Sequence, residues 1–281
     1  MKKISLVIVV FMLGVLGFSQ EATISVMTYN IRLDVASDGE NAWPNRKEGL
    51  VKQIQFYEPS IFGIQEGLPH QTIYLDEELA EYEHFGIGRY GEGKGEQSAI
   101  FYKKNEFEVL ESSTFWLSLT PNAPSKNWDA ALPRICTYGL FKEKKTGNKF
   151  WVFNTHFDHI GVESRLKAID LVQEKIERLN DENLPVIFMG DLNVEPDSKV
   201  ISKLKNFMLD AYEVSKTSAF GSYGTFNGFK FKEEVGPRID YIFVSNTENI
   251  KVMKHAVLTD SKDLKYYSDH FAVLALLLIN N

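Results

Sequence analysis

PVIFMGDLNVEP, from Pro185 to Pro196, places a short uncharged run directly ahead of a glycine, an aspartate and an asparagine. Pro185 to Met189 is too short for a helix of its own and fits a strand covered on both faces. Asp191 and Asn193 share one parity, so an extended backbone continuing to Asn193 would turn both toward the same side. Just upstream, Leu166, Ile169, Val172, Ile176 and Leu179 mark one apolar side of a long helix that leads into this strand. A buried strand fed by an amphipathic helix and ending in polar groups predicts a layered α/β arrangement with chemistry at the strand end.

The same pattern repeats along the chain. Ile24 to Asn30 reads as a strand with both faces largely covered and Asn30 at its polar end. Leu50, Ile54 and Tyr57 recur at helical spacing before Pro59, and Ile61 to Ile64 is a short buried strand ending at Gln65 and Glu66. A second helix is expected over Tyr74 to Tyr82. Further strands are expected at Ser98 to Tyr102, Phe107 to Trp116, Thr137 to Lys142, Phe150 to Thr155, Ile239 to Val244, Val252 to Leu258 and Phe271 to Ile279. Gly86 to Gly95 reads as an exposed turn; no GKS or GKT follows to make it a phosphate loop. Pro121 to Pro133 reads as a long surface loop. About ten strands with several helices and no internal repeat predict one α+β domain, two sheets packed face to face with helices outside.

Composition limits the function classes. With 281 residues, 44% hydrophobic and 25% charged, the chain is neither disordered nor collagen-like. Its one cysteine, Cys136, excludes an internal disulfide and a cysteine-rich zinc module. Lys2 and Lys3 precede an uncharged run, Ile4 to Phe18, broken at Ser19, Gln20 and Glu21. This has the form of a signal peptide over residues 1–20 followed by a mature domain over 21–281, with a secreted or periplasmic destination. The run falls short of the roughly 20 residues needed to cross a bilayer, so no stable membrane insertion is expected. Without the two lysines, 29 basic residues face 38 acidic ones, a net charge of −9. Such a protein has no long-range attraction for nucleic acid, although a local positive cleft or bound cations would still hold a phosphate.

Polar residues follow the strands throughout: Asn30, Glu66, His156 with Asp158 and His159, Asp191 with Asn193, Asp240, and Asp269 with His270. One aspartate after a strand is ordinarily a turn residue or a helix cap. Six strand ends meeting would instead build an oxygen-rich pocket for a hard divalent cation. The ordered series TYNIR (28–32), FGIQE (62–66), NTHFDH (154–159), GDLNVEP (190–196), RIDYIFV (238–244) and SDHFAV (268–273) resembles the motifs of the endonuclease/exonuclease/phosphatase superfamily, the DNase I-like group. The resemblance spans the chain after the leader and implies a four-layer α/β sandwich that hydrolyses phosphoesters with Mg²⁺ or Mn²⁺.

Carried over residue by residue, the resemblance implies that Glu66 is the principal metal carboxylate, with Asn30 beside it and Asp269 completing the ion's surroundings. Asp191 would orient or deprotonate the attacking water, and Asn193 would hold a phosphate oxygen. His270 would hydrogen-bond the scissile phosphate with Asp240 fixing its imidazole, and His156 would lie near the leaving group. Arg134 resembles the family's phosphate-facing arginine, and Arg46 and Arg165 are further candidate phosphate contacts. Trp43, Trp116, Trp128 and Phe226 are candidate stacking walls, and Thr225 and Asn227 of SYGTFNGF would approach the substrate from a pocket-edge loop. Each tryptophan would equally pack a loop, and each arginine serve a structural ion pair.

Two departures shape the functional expectation. The acidic balance and the lack of a dense Lys/Arg block disfavour a DNA polymer. The stretches NAWPNRKEGL (41–50), GRYGEGKGEQSAIFY (88–102) and TFWLSLTPNAP to WDAALPRICTY (114–138) resemble a secreted bacterial branch of the superfamily. A monomeric phosphoesterase is expected, acting on a phosphodiester of a small or accessible organic molecule. The alternatives are a secreted DNase or RNase, a phosphomonoesterase acting on a phosphosugar or inositol phosphate, and a binding protein that has lost catalysis.

Overall fold

A computed structural model describes residues 23–280, so the expected leader lies outside the described residues. The chain lays down β1 (Thr23–Asn30), β2 (Ile61–Gln65), β3 (Tyr82–Phe85) and β4 (Ile100–Lys103) in a first sheet. It then builds a second sheet from β5 (Phe107–Trp116), β6 (Ile135–Glu143), β7 (Lys149–His156), β8 (Val186–Asp191) and β9 (Met208–Asp210). Of the remainder, β10 (Phe220–Gly221) joins the first sheet and β11 (Asp240–Ser245) the second, while β12 (Ile250–Leu258) and β15 (Ala272–Ile279) complete the first. Between those two, β13 (Ser261–Lys262) and β14 (Lys265–Tyr266) form a short hairpin. Strand order is β10-β12-β15-β1-β2-β4-β3 in the seven-stranded sheet and β5-β6-β7-β8-β11-β9 in the six-stranded one. Both sheets mix parallel and antiparallel pairs.

Alternation within each strand decides what the layers bury. On β1, Ile24 and Val26 face the second sheet, where they meet Val152, Ile187, Met189 and Ile242 in a core between the sheets. Met27 and Tyr29 face the other way, against Leu50 and Ile54 of α1 (Trp43–Tyr57) and Leu75 of α2 (Pro69–Glu78). On the second sheet's outer face, Phe153, Phe188 and Phe243 pack on Ile169 and Val172 of α3 (Val162–Leu179) and on Ile201 and Leu204 of α4 (Lys199–Leu204). Three cores therefore separate four layers: helix, sheet, sheet, helix. A one-turn helix, α5 (Ala211–Val214), follows β9. The expected α+β architecture with two packed mixed sheets is the observed one.

Several boundaries differ for local reasons. The second helix starts at Pro69, whose fixed φ and missing N–H suit a first helical turn, and stops at Glu78, so Tyr82 opens β3 instead of ending a helix. α1 likewise begins at Trp43 beside Pro44 and closes at Glu58, in left-handed conformation (φ 45°), directly before Pro59. The short strands β9, β10, β13 and β14 have too few residues to show a period.

Candidate active site

Inward parity, carried to the strand ends, assembles the site. Ile187 and Met189 of β8 point between the sheets, and Asp191 continues their parity; Val152 and then His156 do the same on β7. Asp240 shares the parity of Ile242 and Val244 on β11, and Asn30 that of Ile24 and Val26 on β1. The register pairs Asp191 with His156 on one side and with Asp240 on the other. Asn30 pairs with Gln65, which puts Glu66 beside it, and Asp269 and His270 precede β15 as it runs antiparallel to β1. All these ends open into one cleft of about 590 Å³, lined by Glu66, His156, Asp191, Asn193, Asp269 and His270 among others.

A hydrogen-bond network fixes the group. The Asn30 Nδ2 donates to Glu66 Oε1 (3.0 Å) and to Asp191 Oδ2 (2.9 Å), so one amide touches carboxylates from both sheets. Asn30 Oδ1 accepts from the Arg32 backbone N–H, and Glu66 Oε2 from that of Leu33. Asp191 Oδ1 accepts from the Asn193 N–H at 2.9 Å. Asp191 Oδ2 lies 3.5 Å from His156 Nε2 and 3.8 Å from His270 Nε2. Behind His270, its Nδ1 donates to Asp240 Oδ2 at 2.8 Å, and the same oxygen accepts from Thr225 Oγ1 at 2.6 Å. The Phe226 ring meets His270 edge-on at 5.0 Å.

The two histidines are set in opposite charge states. Burial alone would disfavour a charged His270, but the Asp240 charge and hydrogen bond, with Asp191 nearby, outweigh it and hold its pKa well above the ordinary value. Burial and the Arg134 charge push His156 well below it. Asp191 is raised to about 7 by burial and by the Asp240 charge, partly opposed by His270. Asp269 is raised by burial and, with His270 opposing, by Glu66.

The arrangement suits a divalent cation. Buried carboxylates with raised proton affinity are oxygen ligands that gain when a cation replaces the missing counter-charge. Asp191, Asp240 and His270 offer atoms within 4.8 Å of one another. Asp240 Oδ2 is already committed to the imidazole and to Thr225, which leaves its buried Oδ1 without a partner. Glu66 and Asp269, with Asp191 between the sheets, are carboxylates on the surface of the same cleft and are free of that imidazole bond. Asn30, expected beside the ion, turns its amide nitrogen toward these carboxylates and donates to Glu66 and Asp191.

Other expected residues scatter. Arg134 lines the cleft, with its Nε on Asp158 Oδ2 (3.3 Å) and its Nη2 donating to His159 Nδ1 (2.9 Å). Arg46 is buried and spends its guanidinium on the carbonyls of Ile31, Arg32, Asn41 and Tyr267, and Arg165 donates to the Asp158 carbonyl, so neither reaches the cleft. Of the aromatic candidates only Phe226 lines it. Trp43 sits in the α1 core, Trp116 is buried with its indole N–H on the Arg89 carbonyl, and half-buried Trp128 occupies a left-handed turn (φ 54°) away from the lining. Asn227 is spent on the Ser268 carbonyl and the Phe229 N–H, and Thr225 acts through Asp240. Asn193 does reach the cleft, by a left-handed turn (φ 52°) and not by a longer strand.

Sequence reading missed Arg32, Arg89 and Glu96, all cleft residues, and the organising part of Asp158. The Asp158 carboxylate accepts from the backbone N–H groups of Ala131, Leu132, Ile160 and Gly161, pinning the Pro121–Pro133 loop to the start of α3. Arg32 was inside a quoted motif, and Arg89 and Glu96 inside a distinctive stretch, but nothing in their spacing indicated a cleft.

Fold and site together define a two-sheet sandwich with one polar cleft at the strand ends. The Endonuclease/Exonuclease/phosphatase family model matches residues 27–270, and the chain belongs to this family. It is similar to an endonuclease/exonuclease/phosphatase family protein of Bacteroides thetaiotaomicron (38% identity, 93% of this chain and 100% of that one, TM-score 0.88). It is also similar to the mannosyl-6-phosphatase of Bacteroides thetaiotaomicron VPI-5482 (39% identity, 91% and 100%, TM-score 0.86). An uncharacterized protein of Acanthamoeba polyphaga mimivirus is 32% identical over 178 residues, 60% of this chain, and the match spans 65% of that relative's length. No helix among the described residues is long and apolar enough to cross a membrane.

Proposed function

We propose that this chain is an exported, divalent-cation-dependent phosphoesterase acting on small phosphorylated molecules, with a sugar phosphomonoester preferred over a diester and over nucleic acid. The observation that carries the reading is the cleft where Asp191, His156, the Glu66 carboxylate and His270, backed by Asp240, meet. Its volume suits a small ligand. The mannosyl-6-phosphatase similarity supports the monoester.

In this reading Asp191, poised near 7, takes the proton of the attacking water, because a base near the working pH is charged and still basic enough. His270, held as imidazolium by Asp240, donates from Nε2 to the phosphoryl oxygens where negative charge grows. Neutral His156 and Arg134 stand on the same cleft surface to meet the leaving oxygen and a phosphoryl oxygen. A bound Mg²⁺ or Mn²⁺, held by Glu66 and Asp269 beside Asp191, would neutralise further charge on the phosphoryl group.

The test is a substrate panel with the mature protein and added Mg²⁺ or Mn²⁺, spanning sugar phosphates, inositol phosphates, nucleotides, phospholipid headgroups, diesters and nucleic acids. Sugar phosphates should give the highest kcat/KM, and chelation should abolish turnover. Salt-sensitive nucleotide release from a polymer as the best reaction would transfer the assignment to a nuclease, and no hydrolysis anywhere would sink it.

A further inference from the structure

The glycine-rich stretch from Gly86 to Gln97 brings Arg89 and Glu96 to the cleft wall. Their side chains are about seven-eighths buried and paired through both guanidinium nitrogens, Nη2 to Oε1 at 2.6 Å and Nη1 to Oε2 at 2.9 Å. The stretch does not need this pair to hold its shape. Arg89 N–H donates to the Glu96 carbonyl, Tyr90 N–H to that of Lys94 and Gln97 N–H to that of Gly67, and Trp116 donates its indole N–H to the Arg89 carbonyl. A buried ion pair carries a desolvation cost that its attraction often fails to recover, so one that the backbone does not require points to another use. Glu96 and Glu66 line the same cleft, so the pair stands on the wall that leads to the polar strand ends.

On this wall Arg89 is matched by Glu96 and Arg134 by Asp158, and Arg32 across the cleft pairs with Asp38 and Asp269. A second phosphate on the substrate would meet the Glu96 carboxylate, and an apolar group would cover the pair's remaining N–H groups and lone pairs, the unpartnered Arg89 Nε among them, without satisfying them. A polyol matches the wall, because each hydroxyl both donates and accepts. Both Glu96 oxygens face the guanidinium, which also argues against a second cation at this carboxylate.

We propose that the Arg89–Glu96 pair is the specificity element that reads adjacent hydroxyl groups on the organic part of the substrate. Hydroxyl hydrogens go to the Glu96 carboxylate and hydroxyl oxygens receive the Arg89 N–H groups. The inference rests on the phosphoesterase reading of the same cleft, and its test is chosen to be independent of turnover.

Calorimetry in Mg²⁺ compares a hexose 6-phosphonate, whose C–P bond cannot be hydrolysed, with methylphosphonate, which lacks the hydroxyls. The native protein should bind the hexose compound at least about 30-fold tighter, since a site built for hydroxyls strongly rejects ligands without them. In Glu96→Gln and in Arg89→Lys that ratio should fall at least about tenfold, with thermal unfolding run on each to establish a folded protein. A ratio near one in the native protein, or a ratio kept in both variants, overturns the inference. A large ratio that the variants lose, together with no hydrolysis in the substrate panel, upholds it and removes the catalytic reading alone.

Discussion

Asp240 never touches the cleft surface, yet it decides what His270 is. With its Oδ2 on the imidazole at 2.8 Å, the carboxylate keeps a buried ring protonated that burial alone would strip of its charge. Asp240→Asn therefore lowers the His270 pKa, and neutral His270 no longer stabilises the phosphoryl charge. The expected loss in kcat at pH 8 is about 10²-fold, the scale for removing one charge-stabilising donor. Acidifying toward pH 6 should restore part of it, because the variant regains imidazolium as pH falls, whereas the native enzyme gains nothing from that limb. Parallel kcat profiles for the two proteins would disprove the assignment. At this scale the sequence was readable where polar residues end hydrophobic runs, as for Asp191 and His156. It was not readable for Arg46 and Arg89, which look alike in a string although one meets four backbone carbonyls and the other a cleft carboxylate.

Elements carry the next level of specification. The period of two in β1, β7, β8 and β11 orients their terminal polar residues without any instruction from distant sequence, so strand and site were legible together. Strand order was not, because pairing partners lie far apart in the chain: β1 sits between β2 and β15. One inter-sheet device was hidden for the same reason. Asn154, inside NTHFDH, is a clamp: its Nδ2 donates to the Ile64 and Ala99 carbonyls and its Oδ1 accepts from Gln65 Nε2, tying β7 to the first sheet. Gly63 leaves room for it, since a Cβ there would lie 2.5 Å from the Asn154 Cγ. Gly63→Ala is expected to cost about 2–4 kcal/mol, the scale for stranding buried amide groups, measured by denaturant unfolding. A change below about 0.5 kcal/mol would show that the clamp relaxes freely.

On the scale of the whole molecule, three apolar cores take the place of the disulfides that the lone buried Cys136 cannot provide. His255, on β12, is buried against the edge of Tyr212, and its pKa is lowered to about 4 by burial and by Arg238. Because the folded value lies below the unfolded one, the unfolded chain takes up the proton first. His255 therefore withdraws stability as pH falls from about 6.5 toward 4. Between pH 7 and 4.5 the native protein should lose roughly 2–3 kcal/mol more than His255→Phe, read as unfolding free energies at the two pH values. Equal losses would place the acid sensitivity elsewhere. The site itself draws Asn30, Glu66, Asp269 and His270 from one sheet and next to it, and His156, Asp191 and Asp240 from the other. Neither sheet holds a working half. A nascent or partly unfolded chain with one sheet formed would lack half of the cleft, so under the proposed function hydrolysis would appear only when the sheets dock, and activity would report that folding is complete.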